Sequence, residues 1–336
     1  MKLMAERQCK GDKEFKREGH SRMKVALVLG GGGARGLAHV GVLRTLEQEG
    51  IPIHLIVGCS FGALIGAMYA QMGRVRLVEE RIYQFMQTKI YANLGIRHLQ
   101  NGSPIFSDDP LRQFLKGVKN WVMINLLTRR AALLKGERLG RAIAYLVPPG
   151  DIRDTQIPFA CLATDLVSGQ PYLFTDGDIQ LAVTASSTIP GYFPPVEYRD
   201  RKLVDGAVSY NLPIRFARLL GADRIIAVDV HPELEIETEF SNVMDILLRT
   251  KSITANILTE EIAAGADVLI APPIKEYNWF EFDRFREIIR AGEEAARLRL
   301  ADIRQLTSSP GEEEIRHPRL PGRTRRRRRI VSGNAS

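Results

Sequence analysis

Ser60 stands in GCSFG, residues 58–62, a G-x-S-x-G pattern with a β-like apolar run before it and a helix-like run after it. In that setting Gly58 and Gly62 let the chain turn sharply and lift the serine hydroxyl over a sheet edge, the arrangement of a nucleophile elbow. A helix starting there points its N-terminus at the serine and favours developing negative charge. Serine attack on an acyl group forms a tetrahedral oxyanion, which two or more backbone N–H groups can stabilise by several kcal/mol. A second stretch can supply those donors. GGGGARG, residues 30–36, follows another β-like run, and its glycines let the N–H groups of Gly31, Gly32, Gly33, Ala34, Arg35 and Gly36 converge on one concavity. A helix starting near Arg35 adds its dipole. Glycine in an element interior costs roughly 0.5–1 kcal/mol relative to alanine, so the run needs a return of this kind.

Gly31, Gly33 and Gly36 also satisfy G-x-G-x-x-G. The dinucleotide fingerprint requires an acidic residue at the end of the next strand. Here that strand ends VGCS, with a candidate nucleophile where the acid should be.

The serine needs a base. The six histidines are His20, His39, His54, His98, His231 and His317. Asp205 followed by His231 has the order of an α/β-hydrolase triad, but such enzymes place several strands before the elbow and here one precedes it. His231 reads as a loop histidine and His39 as a satisfied histidine of the first helix. A carboxylate is the alternative. Asp205 in LVDGA (203–207) closes a strand and is followed by Gly206 and Ala207. Its ordinary pKa of about 4 makes a weak base at neutral pH, and partial burial raises it. Asp165, Asp176, Asp178 and Asp229 compete, and residue chemistry alone makes Asp205 only the best of several.

The elements that must hold these groups alternate. VALVLG reads as a buried strand, and Leu37, Val40, Leu43 and Leu46 space the apolar face of a helix closed by Gly50 and Pro52. HLIVGC and FGALIGAMYAQMG read as a second strand and helix. Residues 75–147 are helical in pattern with a break at NGSP (101–104), a helical insert or a lid. Strands follow at IPFACLATDL, GQPYLF, RKLVDGA, DRIIAVDV and ADVLIAPP. A short helix within 175–190 ends at a proline, PIRFARLLGA is a helix with a glycine stop, and 282–306 is one long charged helix. Strands alternating with helices make an α/β protein with a mostly parallel sheet covered on both faces. The stretch 51–73 carries no Asp, Glu, Lys or Arg and is long enough to span a bilayer. Its glycine-flanked serine and small-residue helix favour a buried strand–turn–helix.

Taken together, GGGGARG (30–36), GCSFG (58–62) and DGA (205–207), in that order, resemble the patatin-like phospholipase family. ATDLVSG, TASSTIPGYFPPV, LVDGAVSYNLP and GADRIIAVDV are similar to its bacterial members, and the similarity runs over roughly 24–275. The resemblance implies a three-layer α/β/α fold and a lipid acyl hydrolase that cleaves carboxylic esters of phospholipids or other acyl-ester substrates, independent of calcium, other metals and bound cofactors. It implies a Ser–Asp dyad with no catalytic histidine. Ser60 is then the nucleophile, Asp205 the base that later helps activate the deacylating water, and the 31–36 loop the oxyanion hole. Gly30 stands where many plant members have Asp, Cys59 where Thr is common, and DGA replaces the frequent DGG; no reacting group is lost. The alternatives are a catalytically weak relative that regulates or binds membranes, and a hydrolase of small soluble esters.

Charge sits at the ends. The chain of 336 residues carries a net +8, with +4 in residues 1–24 and +5 in residues 310–336, which leaves −1 for the middle. Residues 1–23 read as a mobile basic extension, with Met23 a second candidate start. Residues 24–309 read as the hydrolase domain, and 310–336 as a disordered Arg-rich tail. For a lipid hydrolase the run Arg325–Arg329 reads as attraction to anionic membrane, at about 1 kcal/mol per residue near the surface. It lacks aromatics for stacking, which argues against nucleic acid. Cys9, Cys59 and Cys161 show no paired or metal-ligand spacing, and the charged N-terminus is no signal peptide. The location expected is cytoplasmic, with peripheral contact at the inner membrane surface. The oligomeric state is not legible.

Overall fold

The computed structural model describes residues 23–94, 132, 134–231, 234, 236–241 and 243–308. Continuous apolar runs form the strands of one sheet: β1 (Val25–Leu29), β2 (Leu55–Cys59), β3 (Phe159–Asp165), β4 (Gln170–Phe174), β5 (Val196–Tyr198), β6 (Arg201–Asp205), β7 (Arg224–Val228) and β8 (Val268–Ile270). The order is β5-β6-β3-β2-β1-β7-β8, with β4 paired to β3 off this path. β1, β2, β3, β7 and β8 run parallel. β4 and β6 run antiparallel to β3, and β5 to β6.

Successive residues of a strand face opposite sides, and the core divides accordingly. Val25, Leu27 and Leu29 join the larger apolar cluster, while Ala26 and Val28 join the smaller one. The larger face is covered by α1 (Ala38–Gln48), α2 (Phe61–Met72), α3 (Val75–Met86), α4 (Lys89–Asn93), α5 (Gly136–Leu146), α6 (Ile179–Ser186) and α9 (Phe285–Leu298). α7 (Ile214–Leu219) and the end of α8 (Val243–Ala263) cover the other. A parallel sheet with both faces buried is the expected three-layer α/β/α arrangement. The uncharged stretch 51–73 is β2, the Ser60 turn and α2. No helix among the described residues is long and apolar enough to cross a membrane.

Several expectations change. A 3-10 turn, Gly33–Leu37, follows the glycines, and the α-helix begins only at Ala38. The charged helix near the C-terminus is broken: a 3-10 turn at Phe282–Arg284 leads into α9, and α10 (Leu300–Thr307) follows a kink at Arg299. The 21-residue α8 is absent from the expectations above. Its Thr, Ile and Asn residues are poor helix formers, and exposed Ile246, Leu247 and Ile257 blur its amphipathic pattern. The extension up to residue 22, the segment 95–131 with its NGSP break, and residues 309–336 lie outside the described residues.

Candidate active site

Strand register explains how Ser60 and Asp205, 145 positions apart, meet. β4 occupies one edge of β3 over Cys161–Asp165. β2 and β6 therefore share the other edge, running toward each other: Cys59 pairs with Leu162, and Asp205 with the next residue, Ala163. Ser60 follows β2 at φ 54° and ψ −124°, a backbone state that non-glycine residues rarely hold and that tertiary contacts must impose. Its Oγ donates to Asp205 Oδ2 at 2.6 Å, with Ser60 only 8% and Asp205 only 4% exposed.

Burial pushes the Asp205 carboxyl up to about 6, against hydrogen bonds from Ser60, the Ala207 N–H and the Cys59 thiol and the more distant charge of Lys251. The Ala207 N–H lies 2.9 Å from Oδ1, and Cys59 Sγ lies 3.9 Å from the same oxygen. Burial first, then the Asp205 charge, hold the Cys59 thiol well above its ordinary value, so it stays protonated and donates.

The glycine loop passes directly over the serine. A side chain at Gly31 would meet Asn211 Oδ1 at 2.8 Å and Ser60 Cβ at 3.0 Å. Gly33 takes φ +58°, and a Cβ there would lie 2.3 Å from the Trp279 carbonyl oxygen. The six N–H groups of residues 31–36 are not equivalent. Gly31 N–H donates to Asn211 Oδ1 at 3.1 Å, and Ala34 N–H to the Trp279 carbonyl at 2.7 Å. Arg35 and Gly36 sit inside the 3-10 turn, where i→i+3 bonding draws their N–H groups back one turn. Among the described residues Gly32 and Gly33 N–H have no acceptor. Phe61 N–H, at the first position of α2, has none within its helix.

Residues 27–218 match the family described as "Patatin-like phospholipase". The chain belongs to the patatin-like phospholipase family. It is 30% identical over 299 residues to mouse patatin-like phospholipase domain-containing protein 7, a match covering 80% of this chain and 20% of that protein. It is 28% identical over 306 residues to lysophospholipase NTE1 of Debaryomyces hansenii, covering 81% of this chain and 18% of that protein. The chain thus spans about a fifth of the length of these relatives. A solved structure, VipD from Legionella pneumophila, aligns at 13% identity with a TM-score of 0.39, covering 85% of this chain and 67% of that one.

In this patatin-like domain the competing aspartates lie elsewhere. Asp165 anchors the β3–β4 turn and the start of β6. Burial works against its ionisation, but bonds from Ser168, Val167 and Lys202 and the Arg201 charge outweigh it and lower its carboxyl pKa. Asp178 caps α6 through Gln180 and Leu181 N–H, and Asp176 is exposed in the preceding turn. Asp229 accepts from His231 N–H at 2.9 Å, beside Arg35. Burial pulls His231 down to about 4, with Arg35 adding to the effect, and Arg35 itself to about 10. His39 is wholly buried and pulled down to about 4 by that burial; the neutral ring donates from Nε2 to the Gly30 carbonyl at 2.8 Å. His54 Nδ1 accepts from Val25 N–H. His20, His98 and His317 lie outside the described residues.

TASST (184–188), which carries no chemical signature in the sequence, holds both Ser60 and Asp205 by their backbones. Ser186, fully buried, accepts from Ser60 N–H at 2.9 Å and donates to the Leu162 carbonyl at 2.6 Å. Ser187 Oγ donates to the Ser60 carbonyl at 3.3 Å, and Asp205 N–H to the Thr188 carbonyl at 2.9 Å. Consecutive hydroxyl residues, Ser186 to Thr188, at the end of a short helix were the signal available. Gly58 lies within β2, Gly62 in the first turn of α2 against the Leu29 carbonyl, and Gly206 against that of Leu162.

Proposed function

We propose that the protein is a lipid acyl hydrolase that cleaves carboxylic esters of phospholipids or lysophospholipids through Ser60 and Asp205. The observation that carries this reading is the 2.6 Å hydrogen bond from Ser60 Oγ to a buried carboxylate. As Oγ bonds to the ester carbonyl carbon, its proton passes to Asp205 and the carbonyl electron pair moves to oxygen. The oxyanion faces the unengaged N–H groups of Gly32 and Gly33, with Phe61 N–H behind. Collapse expels the alcohol, which takes the proton from Asp205 and leaves an acyl-serine. Water, deprotonated by the same carboxylate, then adds to the acyl carbon; the C–Oγ bond breaks, Oγ takes the proton back from Asp205, and the fatty acid leaves. A carboxyl at about 6 is ionised at neutral pH yet more basic than an ordinary aspartate. A lipid substrate carries with it a cytoplasmic protein in peripheral contact with anionic membrane through its basic ends. Removing residues 310–336 should then weaken binding to anionic vesicles.

A fluorophosphonate probe tests the dyad. Labelling of wild type, with none in Ser60→Ala or Asp205→Asn proteins that keep their circular dichroism, is the expected result. Labelling that persists in Ser60→Ala places the reactive serine elsewhere and overturns the reading.

A further inference from the structure

Between the loop after β6 and α8 lies a cavity of about 350 Å³. Asn211 forms the corner it shares with the candidate site. Its Oδ1 accepts the Gly31 N–H, while its Nδ2 is buried with no partner among the described residues. A buried donor left unmade costs stability and calls for an acceptor, which a ligand in the adjoining cavity can supply. Across the cavity Lys251 is exposed, makes no ion pair among the described residues, and lies near enough for its charge to act on Asp205.

The cavity's other polar groups are already committed as donors. Thr250, Thr254 and Thr259 give their hydroxyl protons to carbonyls of their own helix, and Ser209 bonds the Gly206 carbonyl and Thr164. Among the described residues no Asp or Glu lines the space, and Val208 and Leu258 supply apolar wall. The donors left are one ammonium and one amide, a set that suits an oxyanion carried on an organic group.

We propose that this cavity is the headgroup subsite of the substrate, taking the phosphate of a phospholipid or lysophospholipid on Lys251 and Asn211 while the acyl ester lies at Ser60. This rests on the hydrolase reading above. The loop 205–211 is the wall common to both, so the few bonds of a glycerol backbone can connect them. The same chemistry would hold free phosphate, and the test separates the two sources.

Hydrolysis of 1-palmitoyl lysophosphatidic acid and of uncharged 1-monopalmitoylglycerol is compared in wild type, Lys251→Gln and Lys251→Glu. Losing a hydrogen bond to a charged group should raise KM for the lysophospholipid about tenfold more than KM for the monoglyceride, and Lys251→Glu should widen the gap. Glycerol 3-phosphate should compete with the monoglyceride in wild type and about tenfold less well in Lys251→Gln. Equal KM changes for both esters overturn the proposal. So does inhibition by inorganic phosphate that depends on Lys251 when the KM ratio does not, which would make the cavity a free-anion site. If wild type cleaves neither ester, the dyad reading fails. Calorimetric titration of glycerol 3-phosphate into wild type and Lys251→Gln then decides the cavity by itself: equal affinity, or no binding, overturns it.

Discussion

Replacing Asp205 by asparagine should abolish ester hydrolysis and make the fold more stable. Burial carries the Asp205 carboxyl from its ordinary 3.8 to about 6. Each tenfold in proton affinity is about 1.4 kcal/mol, so holding this group ionised at neutral pH costs the fold about 3 kcal/mol. The amide is nearly isosteric. Its oxygen keeps the Ala207 N–H and Cys59 thiol as donors, and its NH2 can donate to Ser60 Oγ in place of the bond Oδ2 accepted. At about 2–4 °C per kcal/mol for a domain of this size, Tm should rise by about 6–12 °C at pH 7.5. The pH dependence has a definite sign. Between the unfolded and folded values the native state binds the extra proton, so wild-type stability falls as pH rises from about 4 to about 6. The Asp205→Asn advantage should therefore be small at pH 4 and complete by pH 7. Denaturation of both proteins at five pH values, with ester hydrolysis in parallel, checks this, because every other titrating group cancels in the difference. A variant less stable than wild type at pH 7.5, or an advantage that does not vary with pH, would refute the claim that this carboxylate is held at a cost.

The same carboxyl should appear in catalysis: kcat/KM on an uncharged ester should rise with pH through about 6 and then level off, since the ionised form is the base. Ser186→Ala should leave the Ser60 N–H and Leu162 carbonyl unpaired, costing about 2–4 kcal/mol in urea denaturation. Its kcat should fall with little change in KM; an unchanged kcat would show that TASST does not hold the elbow. Gly31→Ala places a methyl 3.0 Å from Ser60 Cβ, and displacement of the loop or serine by a fraction of an ångström should lower kcat by about tenfold or more, measured on a short-chain p-nitrophenyl ester.

What the sequence determined by itself was local. Buried strands are continuous apolar runs, and the elbow and the glycine loop are patterns whose meaning is set by the strand before and the helix after. Both are legible because backbone preference and periodicity act within a few residues. α8 was illegible for the same reason, since its Thr, Ile and Asn residues carry no strong helical signal and its exposed Ile246, Leu247 and Ile257 break the amphipathic period. The choice of carboxylate was not local either. Residue chemistry made Asp205 only the best of several, ahead of Asp165, Asp176, Asp178 and Asp229, and the resemblance favoured it further. In three dimensions β2 and β6 abut along one edge of β3 and bring Asp205 against Ser60, while Asp165 and Asp178 serve turns and caps. The donors of the glycine loop were likewise sorted only by folding, when Asn211 and Trp279 took two N–H groups and left others unengaged. Burial and hydrogen-bond partners come from residues a hundred or more positions away, and they decide which aspartate lies against Ser60 and which N–H groups of the loop are engaged.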